Sequence, residues 1–337
     1  MQRGDIRNAE DVQQAMRDVT RVLHLAAQAS VEDPVNSCAS NIMGYVNVLD
    51  AARRAGVQRF VYASSAAVYG VPQVLPLTEA APVNPLSPYG LEKYVNDQYA
   101  AMYRALYGMN CLGMRYFNVY GPRQDPRSPY AGVISRFIDC VSRGVPLRVH
   151  GDGLQTRDFV YVADVAQANL RALESELGGV CNIGTGQTVT LLQLIGTIGA
   201  IAGRELAVTH EPPREGDIRD SATAVGRMES ELGARATTGL RGRVGGVDGE
   251  GLEVQGAMGA GSAVLAHGNH FNRWVAGPGA WYFEGEEECA AQLDAVLSDR
   301  SEIERMRAAS RERHGAVFTW ERVLGEYEVL LGRWQAG

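Results

Sequence analysis

The chain has 337 residues, of which 45% are apolar and 21% are charged, and its formal net charge is −7. This composition is typical of a folded globular protein of about two domains. The acidic balance argues against nucleic-acid binding, and without a run of roughly 18 apolar residues no membrane-spanning helix is expected.

The cysteines and the first residues favour a cytoplasmic protein. Cys38, Cys111, Cys140, Cys181 and Cys289 are scattered, odd in number and free of CxxC spacing, which argues against a disulfide framework and a zinc ribbon. The polar start, MQRGDIRNAED, lacks the apolar core of a signal peptide. No group of His, Cys and Asp has metal-ligand spacing, so we predict no metal.

Helices and short strands alternate from residue 9 to about 210. A polar helix from residue 9 precedes the apolar run 22–27, in which His24 is predicted to be a packed strand residue. A helix over about 34–55, a strand over 59–65, a helix over about 88–107 and a strand over 111–117 follow. This alternation predicts an α/β fold with right-handed βαβ units and a parallel sheet. The helix over 88–107 has apolar residues at three- and four-residue steps, as an amphipathic helix does: Leu91, Val95, Tyr99, Met102 and Leu106.

The composition changes near residue 240. Residues 241–262 contain eight glycines in 22 positions, which is typical of a linker or of irregular loops. We therefore predict a domain over 1–240, a linker over 241–262 and a helical C-terminal segment over 263–337. Helices are predicted within that segment over 286–298 and 301–314.

Ser65, Tyr89 and Lys93 stand out as candidate catalytic groups. Ser64 and Ser65 end a predicted strand, and Tyr89 and Lys93 lie four apart at the start of a helix, hence on one face. A free tyrosine has a pKa near 10, and a nearby ammonium or a positively charged cofactor ring favours the phenolate. We expect the pKa of Tyr89 to be lowered in this way, so that it can take a proton from a substrate hydroxyl.

Four motifs extend this pattern: SSAAVYG (64–70), SPYGLEK (87–93), RYFNVYGPRQDP (115–126) and GDGLQTRDFVYVADV (151–165). Together they resemble the extended short-chain dehydrogenase/reductases, most closely the UDP-hexose 4-epimerases, over about residues 4–235. The resemblance implies a Rossmann-like sheet with a small substrate-binding subdomain. It also implies an NAD that takes the C4 hydride and returns it to the other face of a 4-keto sugar. Tyr89 is then the base and later the acid. Lys93 lowers the pKa of Tyr89 and binds the ribose, and Ser65 forms a hydrogen bond with the substrate hydroxyl.

The resemblance also implies two binding surfaces. On the substrate side, Asn118 meets the diphosphate, Arg157 and Arg214 neutralise it, Asp217 orients Arg214 or contacts the nucleotide ribose, and Ser221 leaves room for an N-acetyl group. UDP-glucose/galactose and UDP-GlcNAc/GalNAc are therefore both candidate substrates. The implied NAD-binding residues come from several elements: Asp5, Ile6, Leu25, Ala26, Ala27, Asn41, Ser64, Tyr89, Lys93 and Tyr116.

Related activities differ at the residues after Ser65. The sugar 4,6-dehydratases carry an Asp-Glu pair where this chain has Ala66 and Ala67, and alanine can act neither as acid nor as base. A dehydratase is therefore disfavoured, whereas a reductase or a decarboxylase stays open. Family members often pair through two long helices, which predicts a homodimer through 34–55 and 88–107.

The chain departs from the family pattern at both ends. Nothing before Val22 supplies the GxxGxxG turn that receives a pyrophosphate, so we expect an incomplete sheet, a truncated or misread start, and weakened NAD affinity. Residues 253–334 resemble the C-terminal end of a GT-B glycosyltransferase, which predicts an α/β appendage. Two alternatives to an epimerase follow: a nucleotide-sugar-binding protein that no longer turns over, and a glycosyltransferase fragment led by the tail.

Overall fold

The structure, a computed structural model, describes residues 3–28, 33–121, 124, 126, 131–213, 218–240, 265–267, 277–283 and 285–317. It divides into two compact units, Met1–Val244 and Gly245–Gly337. The predicted linker over 241–262 lies outside the described residues, so its bounds stay a prediction. Among the described helices, none combines the length and the apolar character needed to cross a membrane.

The first unit alternates strands and helices, as predicted. Its strands are β1 (Arg21–His24), β2 (Arg59–Ser65), β3 (Cys111–Tyr116), β4 (Asn118–Tyr120), β5 (Leu147–His150), β6 (Thr156–Arg157), β7 (Phe159–Tyr161), β8 (Gly179–Ile183), β9 (Val189–Thr190) and β10 (Val208–Glu211). Its helices are α1 (Ala9–Ala15), α2 (Pro34–Cys38), α3 (Tyr45–Arg54), α4 (Pro88–Tyr107), α5 (Val133–Ser142), α6 (Val162–Glu174), α7 (Leu191–Ile201) and α8 (Gly226–Ser230).

A four-stranded parallel sheet in the order β1-β2-β3-β8 forms the centre of this unit. Successive side chains of a strand point to opposite faces: Phe60 and Tyr62 of β2 pack with α1, α3 and α4, whereas Val61 packs with α6 and α8. Both faces are covered, as parallel sheets require. The predicted α/β fold with a Rossmann-like parallel sheet is confirmed.

Smaller strand pairs lie outside this sheet. Strand β5 pairs with β10 and β4 with β7, both in parallel, and β6 pairs with β9 in antiparallel fashion. The helices α5 and α7 pack with this region. These pairs correspond to the expected small subdomain beside the main sheet.

Two predicted elements have different bounds. The apolar run 22–27 forms a strand only as far as His24, and Leu25 beyond it is 50% exposed, because residues 25–28 leave the sheet. The helix predicted over 34–55 consists of α2, a π-helical turn over Ala39–Gly44, and α3. In that turn a Cβ on Gly44 would lie 2.7 Å from the Ile6 side chain, so glycine permits this close approach.

The helix predicted over 88–107 is present as α4, but three of its five predicted apolar residues lie outside the buried face. Leu91, Met102 and Leu106 are 52%, 48% and 71% exposed. The side facing the sheet is instead largely polar, because it carries the candidate catalytic groups. Its buried residues are Gly90, Glu92, Lys93, Asn96, Asp97 and Ala100.

The second unit contains the predicted helices. They are α9 (Glu286–Ser298) and α10 (Arg300–Val317), and two short parallel strands precede them, β11 (Leu265–His267) and β12 (Trp281–Phe283). Within this unit the Trp281 Nε1 donates to Glu302 Oε1 at 2.8 Å. The likeness of the tail to a glycosyltransferase stays a prediction.

Candidate active site at the carboxyl end of the sheet

The three candidate catalytic residues meet where β2 ends and α4 begins. Ser65 is the last residue of β2, and Ser87 caps α4 by accepting a hydrogen bond from the Gly90 N–H at 3.1 Å. Ser65 lies beside Tyr89, and the interaction between their side chains lowers the pKa of Tyr89. The Lys93 Nζ donates to the Ala63 carbonyl at 2.8 Å and lies 5.7 Å from the centre of the Tyr89 ring. Active sites of open parallel sheets lie at this edge.

The expected lowering of the pKa of Tyr89 does not occur in the chain by itself. Burial raises the pKa of Tyr89 above its usual value, the charge of Glu92 raises it further, and only the hydrogen bond to Ser65 lowers it. The free-energy cost of removing a phenolate from water is larger than the stabilisation that these neighbours provide. A phenolate at this edge therefore needs an additional positive charge close to the ring.

Lys93 is a buried ammonium, 2% exposed, and the only lysine of the chain. Burial lowers its pKa to about 8, against the opposing influence of Asp97 and then Glu92. The side chain is therefore mostly charged at neutral pH. The presence of a single lysine among 32 basic residues was a signal that sequence reasoning overlooked.

A chain of buried polar side chains lies beneath Lys93, and sequence reasoning also missed it. Asp97, one turn after Lys93, accepts hydrogen bonds from Tyr62 Oη and Arg115 Nε, both at 3.0 Å. The Arg115 Nη1 donates to Tyr69 Oη at 2.9 Å, and the Tyr69 hydroxyl donates to Asn182 at 2.6 Å. These contacts join α4, β2, β3 and β8. The four-residue step from Lys93 to Asp97 was the available signal.

The remaining candidate NAD residues fall into two groups. Ser64 is buried in β2 and pairs in register with Arg115, and Tyr116 pairs with Ser65. The Tyr116 hydroxyl donates to Asn169 of α6 at 2.6 Å, so it points away from Tyr89 and Lys93.

The other group lies at the start of the chain and after β1. Asp5 forms an ion pair with Arg7 at 2.6 Å, Ile6 packs against Gly44, and Asn41 is buried. Leu25, Ala26 and Ala27 form an exposed apolar segment directly after β1.

These residues fit the ribose and nicotinamide end of NAD. An ammonium has three donors, and among the described residues Lys93 uses one, toward Ala63. A buried ammonium with free donors suits vicinal hydroxyl groups such as those of a ribose. The exposed apolar segment 25–27 at the same sheet edge suits the face of an aromatic ring.

The candidate substrate residues Asn118 and Arg157 both line a cavity of about 1290 Å³. Three further arginines, Arg136, Arg143 and Arg148, line it, together with the acidic Asp139 and Glu211. Guanidinium groups suit phosphate oxygens, so the cavity suits an anionic ligand of nucleotide size. Sequence reasoning had found one of these four arginines, because the others belong to no motif.

Within the cavity, backbone contacts fix Asn118 and Arg157. The Asn118 Nδ2 donates to the Asp158 carbonyl at 3.1 Å, and the Arg157 Nη1 donates to the Thr156 and Arg219 carbonyls at 2.9 and 3.0 Å.

The other substrate candidates lie in the segment around 214–221. Ser221 is half-buried, and its neighbour Asp220 accepts a hydrogen bond from Thr156 Oγ1 at 2.8 Å. Arg214 and Asp217 lie outside the described residues.

The depressed pKa of Lys93 predicts a pH-dependent contribution to stability. Between about pH 8 and 10.5 the unfolded chain holds a proton at Lys93 that the folded chain has released, so the stability of the fold rises with pH. Relative to Lys93→Met, the free energy of unfolding of the unmodified chain should increase by about 1.4 kcal/mol per pH unit in this interval. Urea unfolding at pH 7.5 and 9.5 measures it. Arg17→Met, at an exposed position, is the control and should follow the unmodified chain; equal pH dependence in Lys93→Met would contradict the assignment.

Comparison with known proteins identifies the family of the chain. Residues 1–184 match the NAD dependent epimerase/dehydratase family. A putative UDP-glucose 4-epimerase of Methanocaldococcus jannaschii is 45% identical over 220 residues, which cover 64% of this chain and 72% of the relative. The UDP-glucose 4-epimerase of Mycolicibacterium smegmatis is 40% identical over 218 residues, covering 63% and 69%.

Solved structures give the same result. A UDP-N-acetylglucosamine 4-epimerase from Methanobrevibacter ruminantium, in complex with UDP-N-acetylmuramic acid, matches with a TM-score of 0.70 and 32% identity, covering 72% of this chain and 79% of that one. The Thermus thermophilus UDP-glucose 4-epimerase in complex with NAD matches with a TM-score of 0.67 and 38% identity, covering 72% and 82%. With the family match extending over more than half of its residues, this chain belongs to the NAD dependent epimerase/dehydratase family.

Proposed function

We propose that the chain catalyses the NAD-dependent epimerisation of a UDP-hexose at C4. The observation that carries this proposal is the Tyr89–Ser65 hydroxyl pair beside the buried ammonium of Lys93. The cavity lined by Arg136, Arg143, Arg148 and Arg157 supports a diphosphate-linked substrate. The relatives named UDP-glucose 4-epimerase support the substrate class.

Each residue has a distinct part in this reaction. NAD would be held through its ribose hydroxyls by Lys93 and would supply the hydride acceptor and donor for the two faces of C4. The Tyr89 oxygen accepts the proton of the C4 hydroxyl and returns it to the C4 oxygen afterwards. Ser65 donates a hydrogen bond to that oxygen. Lys93 supplies positive charge beside Tyr89 and donors for the ribose hydroxyls.

The substrate's diphosphate is held apart from these groups. Asn118 follows β3 at the same sheet edge and lines the cavity together with Arg157. Their amide and guanidinium donors bind the phosphate oxygens and leave the hexose to extend toward Ser65 and Tyr89. Binding energy from the nucleotide thereby orients the reacting carbon.

Substitution of Tyr89 by Phe tests the reaction. It removes the proton-accepting oxygen and keeps the ring, so interconversion of UDP-glucose and UDP-galactose with added NAD should fall by roughly a hundredfold or more. Chromatography of the two UDP-sugars measures it, and calorimetry should show unchanged UDP binding. Tyr107→Phe, at an exposed tyrosine of the same helix, should keep full activity.

Two results would contradict the proposal. Full activity of Tyr89→Phe would exclude the proton transfer. UDP-sugar binding by the unmodified chain with no turnover in the presence of NAD would instead support the alternative of a nucleotide-sugar-binding protein.

The hexose specificity is proposed to depend on Ser221. Its small, half-buried side chain next to the segment held by Thr156 leaves room for an N-acetyl group at C2. We expect turnover of both UDP-glucose and UDP-GlcNAc, and we expect Ser221→Tyr to lose UDP-GlcNAc turnover by roughly tenfold or more while it retains UDP-glucose. Parallel assays with both substrates measure this; a chain active on UDP-glucose alone before substitution would refute it.

We also propose a homodimer through α4 and the helices of 34–55. The exposed apolar residues Met102, Leu106 and Tyr107 of α4, and Val35 and Met43 of the other helices, supply the kind of patch that marks a protein interface. In a dimer with two-fold symmetry, this patch of one copy is buried against the same patch of the other copy.

Light scattering after size exclusion tests the dimer. The unmodified chain should have twice the monomer mass at about 20 μM, a concentration at which a micromolar interface is populated. Leu106→Asp should shift it to the monomer, because a carboxylate is costly to bury at an apolar contact. Leu170→Asp, at an equally apolar exposed site on α6, should remain dimeric; a monomeric unmodified chain would refute the proposal.

A further inference from the structure

Glu92 is a buried carboxylate directly beside the catalytic pair, and the proposed reaction makes no use of it. It is 4% exposed and precedes Lys93 in the sequence. Its Oε2 accepts hydrogen bonds from Asn41 Nδ2 at 2.6 Å and from Ser37 Oγ at 2.9 Å. A carboxylate buried with two neutral donors is costly, so a gain elsewhere must offset that cost.

The contacts of Asn41 show where this gain arises. Its Oδ1 accepts the Gln28 N–H at 2.7 Å, and its Nδ2 donates to the Gln28 carbonyl at 2.5 Å. The side-chain amide of Asn41 thus bonds both the N–H and the carbonyl of Gln28. The bond to Glu92 fixes the orientation of this amide, because the carboxylate needs the donating nitrogen on its side. Asn41 lies in the π-helical turn Ala39–Gly44, a local geometry frequent at functional sites.

Gln28 ends the segment that leaves the sheet after β1. This segment begins at Leu25, which is half exposed at the carboxyl end of the sheet. Together with Tyr89 and Lys93 it belongs to the part of the sheet edge that suits NAD, which we call the cofactor groove. A second bond, from Asn36 Nδ2 to Gln28 Oε1 at 3.2 Å, holds the Gln28 side chain. The segment is therefore attached through side chains rather than through sheet pairing.

We propose that Glu92 is a positioning residue: through Asn41 and Ser37 it attaches the segment 25–28 to α4, so that this side of the cofactor groove keeps a fixed position relative to Tyr89 and Lys93. The inference rests on the proposed function for the identity of the groove's ligand. The attachment itself depends only on the contacts given above.

The charge of Glu92 has a second consequence at the same place. Asp97 and Glu92 raise the pKa of Lys93 against the effect of burial, and the charge of Lys93 adds to burial in lowering the pKa of the buried His24. Loss of the Glu92 charge therefore favours the neutral amine. A merely structural residue would leave the pKa of Lys93 unchanged.

Two substitutions separate these effects. Glu92→Gln keeps an acceptor oxygen for Asn41 and Ser37 but loses the charge, whereas Glu92→Ala loses both. Because the chain has one lysine, protein labelled with ¹³C-lysine gives a single side-chain signal, whose titration reports the pKa of Lys93. Hydrogen exchange at the Gln28 amide reports the attachment.

We expect Glu92→Ala to speed exchange at Gln28 by about tenfold, with exchange at Met114 in the centre of β3 unchanged. Glu92→Gln should leave Gln28 protected and should lower the pKa of Lys93 below that of the unmodified chain. Glu10→Gln, at an exposed glutamate, should change neither. If Glu92→Ala does not fold, Glu92→Met fills the same space without an acceptor and serves in its place.

Unchanged exchange at Gln28 in Glu92→Ala, or in Glu92→Met where that variant replaces it, would overturn the attachment, and an unchanged pKa of Lys93 in Glu92→Gln would overturn the electrostatic part. Neither the exchange measurement nor the titration needs a cofactor. NADH binding, followed by its fluorescence, tests the groove's ligand separately: a chain that binds no NADH refutes the proposed function, while the exchange and titration results still decide the role of Glu92.

Discussion

The burial of one ammonium group, that of Lys93, is the constraint around which the site is arranged. A charge with so little contact with water is costly, and in this chain it is kept by the Ala63 carbonyl and by the charges of Asp97 and Glu92. Asp97 is in turn buried, so it needs Arg115, and Arg115 needs Tyr69. Each buried polar group thus requires the next one, which is why the network extends across α4 and the sheet.

This requirement explains the unusual orientation of α4. A helix on a sheet ordinarily directs its apolar stripe inward, but here the inward side carries Glu92, Lys93, Asn96 and Asp97. The apolar residues Leu91, Met102 and Leu106 are left outside, whereas Tyr99 packs against the core. The chemistry of the sheet edge and the proposed contact between two copies are therefore opposite sides of the same helix.

The electrostatics of Tyr89 assign separate tasks to the chain and to its cofactor. The chain brings the phenol, Ser65 and Lys93 together, yet burial keeps the phenol protonated. Positive charge delivered at the sheet edge lowers the cost of the phenolate. In the proposed reaction the base is formed when the site is loaded, and the arginine-lined cavity is proposed to hold the nucleotide.

The sequence alone determined the order of the elements and the residues at the sheet edge. Helix and strand periods, Ser87 and Gly108 at the ends of α4, and the step from Tyr89 to Lys93 are local features, and local geometry follows from local sequence. The tertiary structure alone decided which face of α4 is buried, where β1 ends, and the direction of the pKa shift of Tyr89. It also brought together Glu92, Asn41 and Gln28, and the four arginines of the cavity. These depend on partners distant along the chain and on how much water each group loses, and neither quantity is set by the residues adjacent in the sequence.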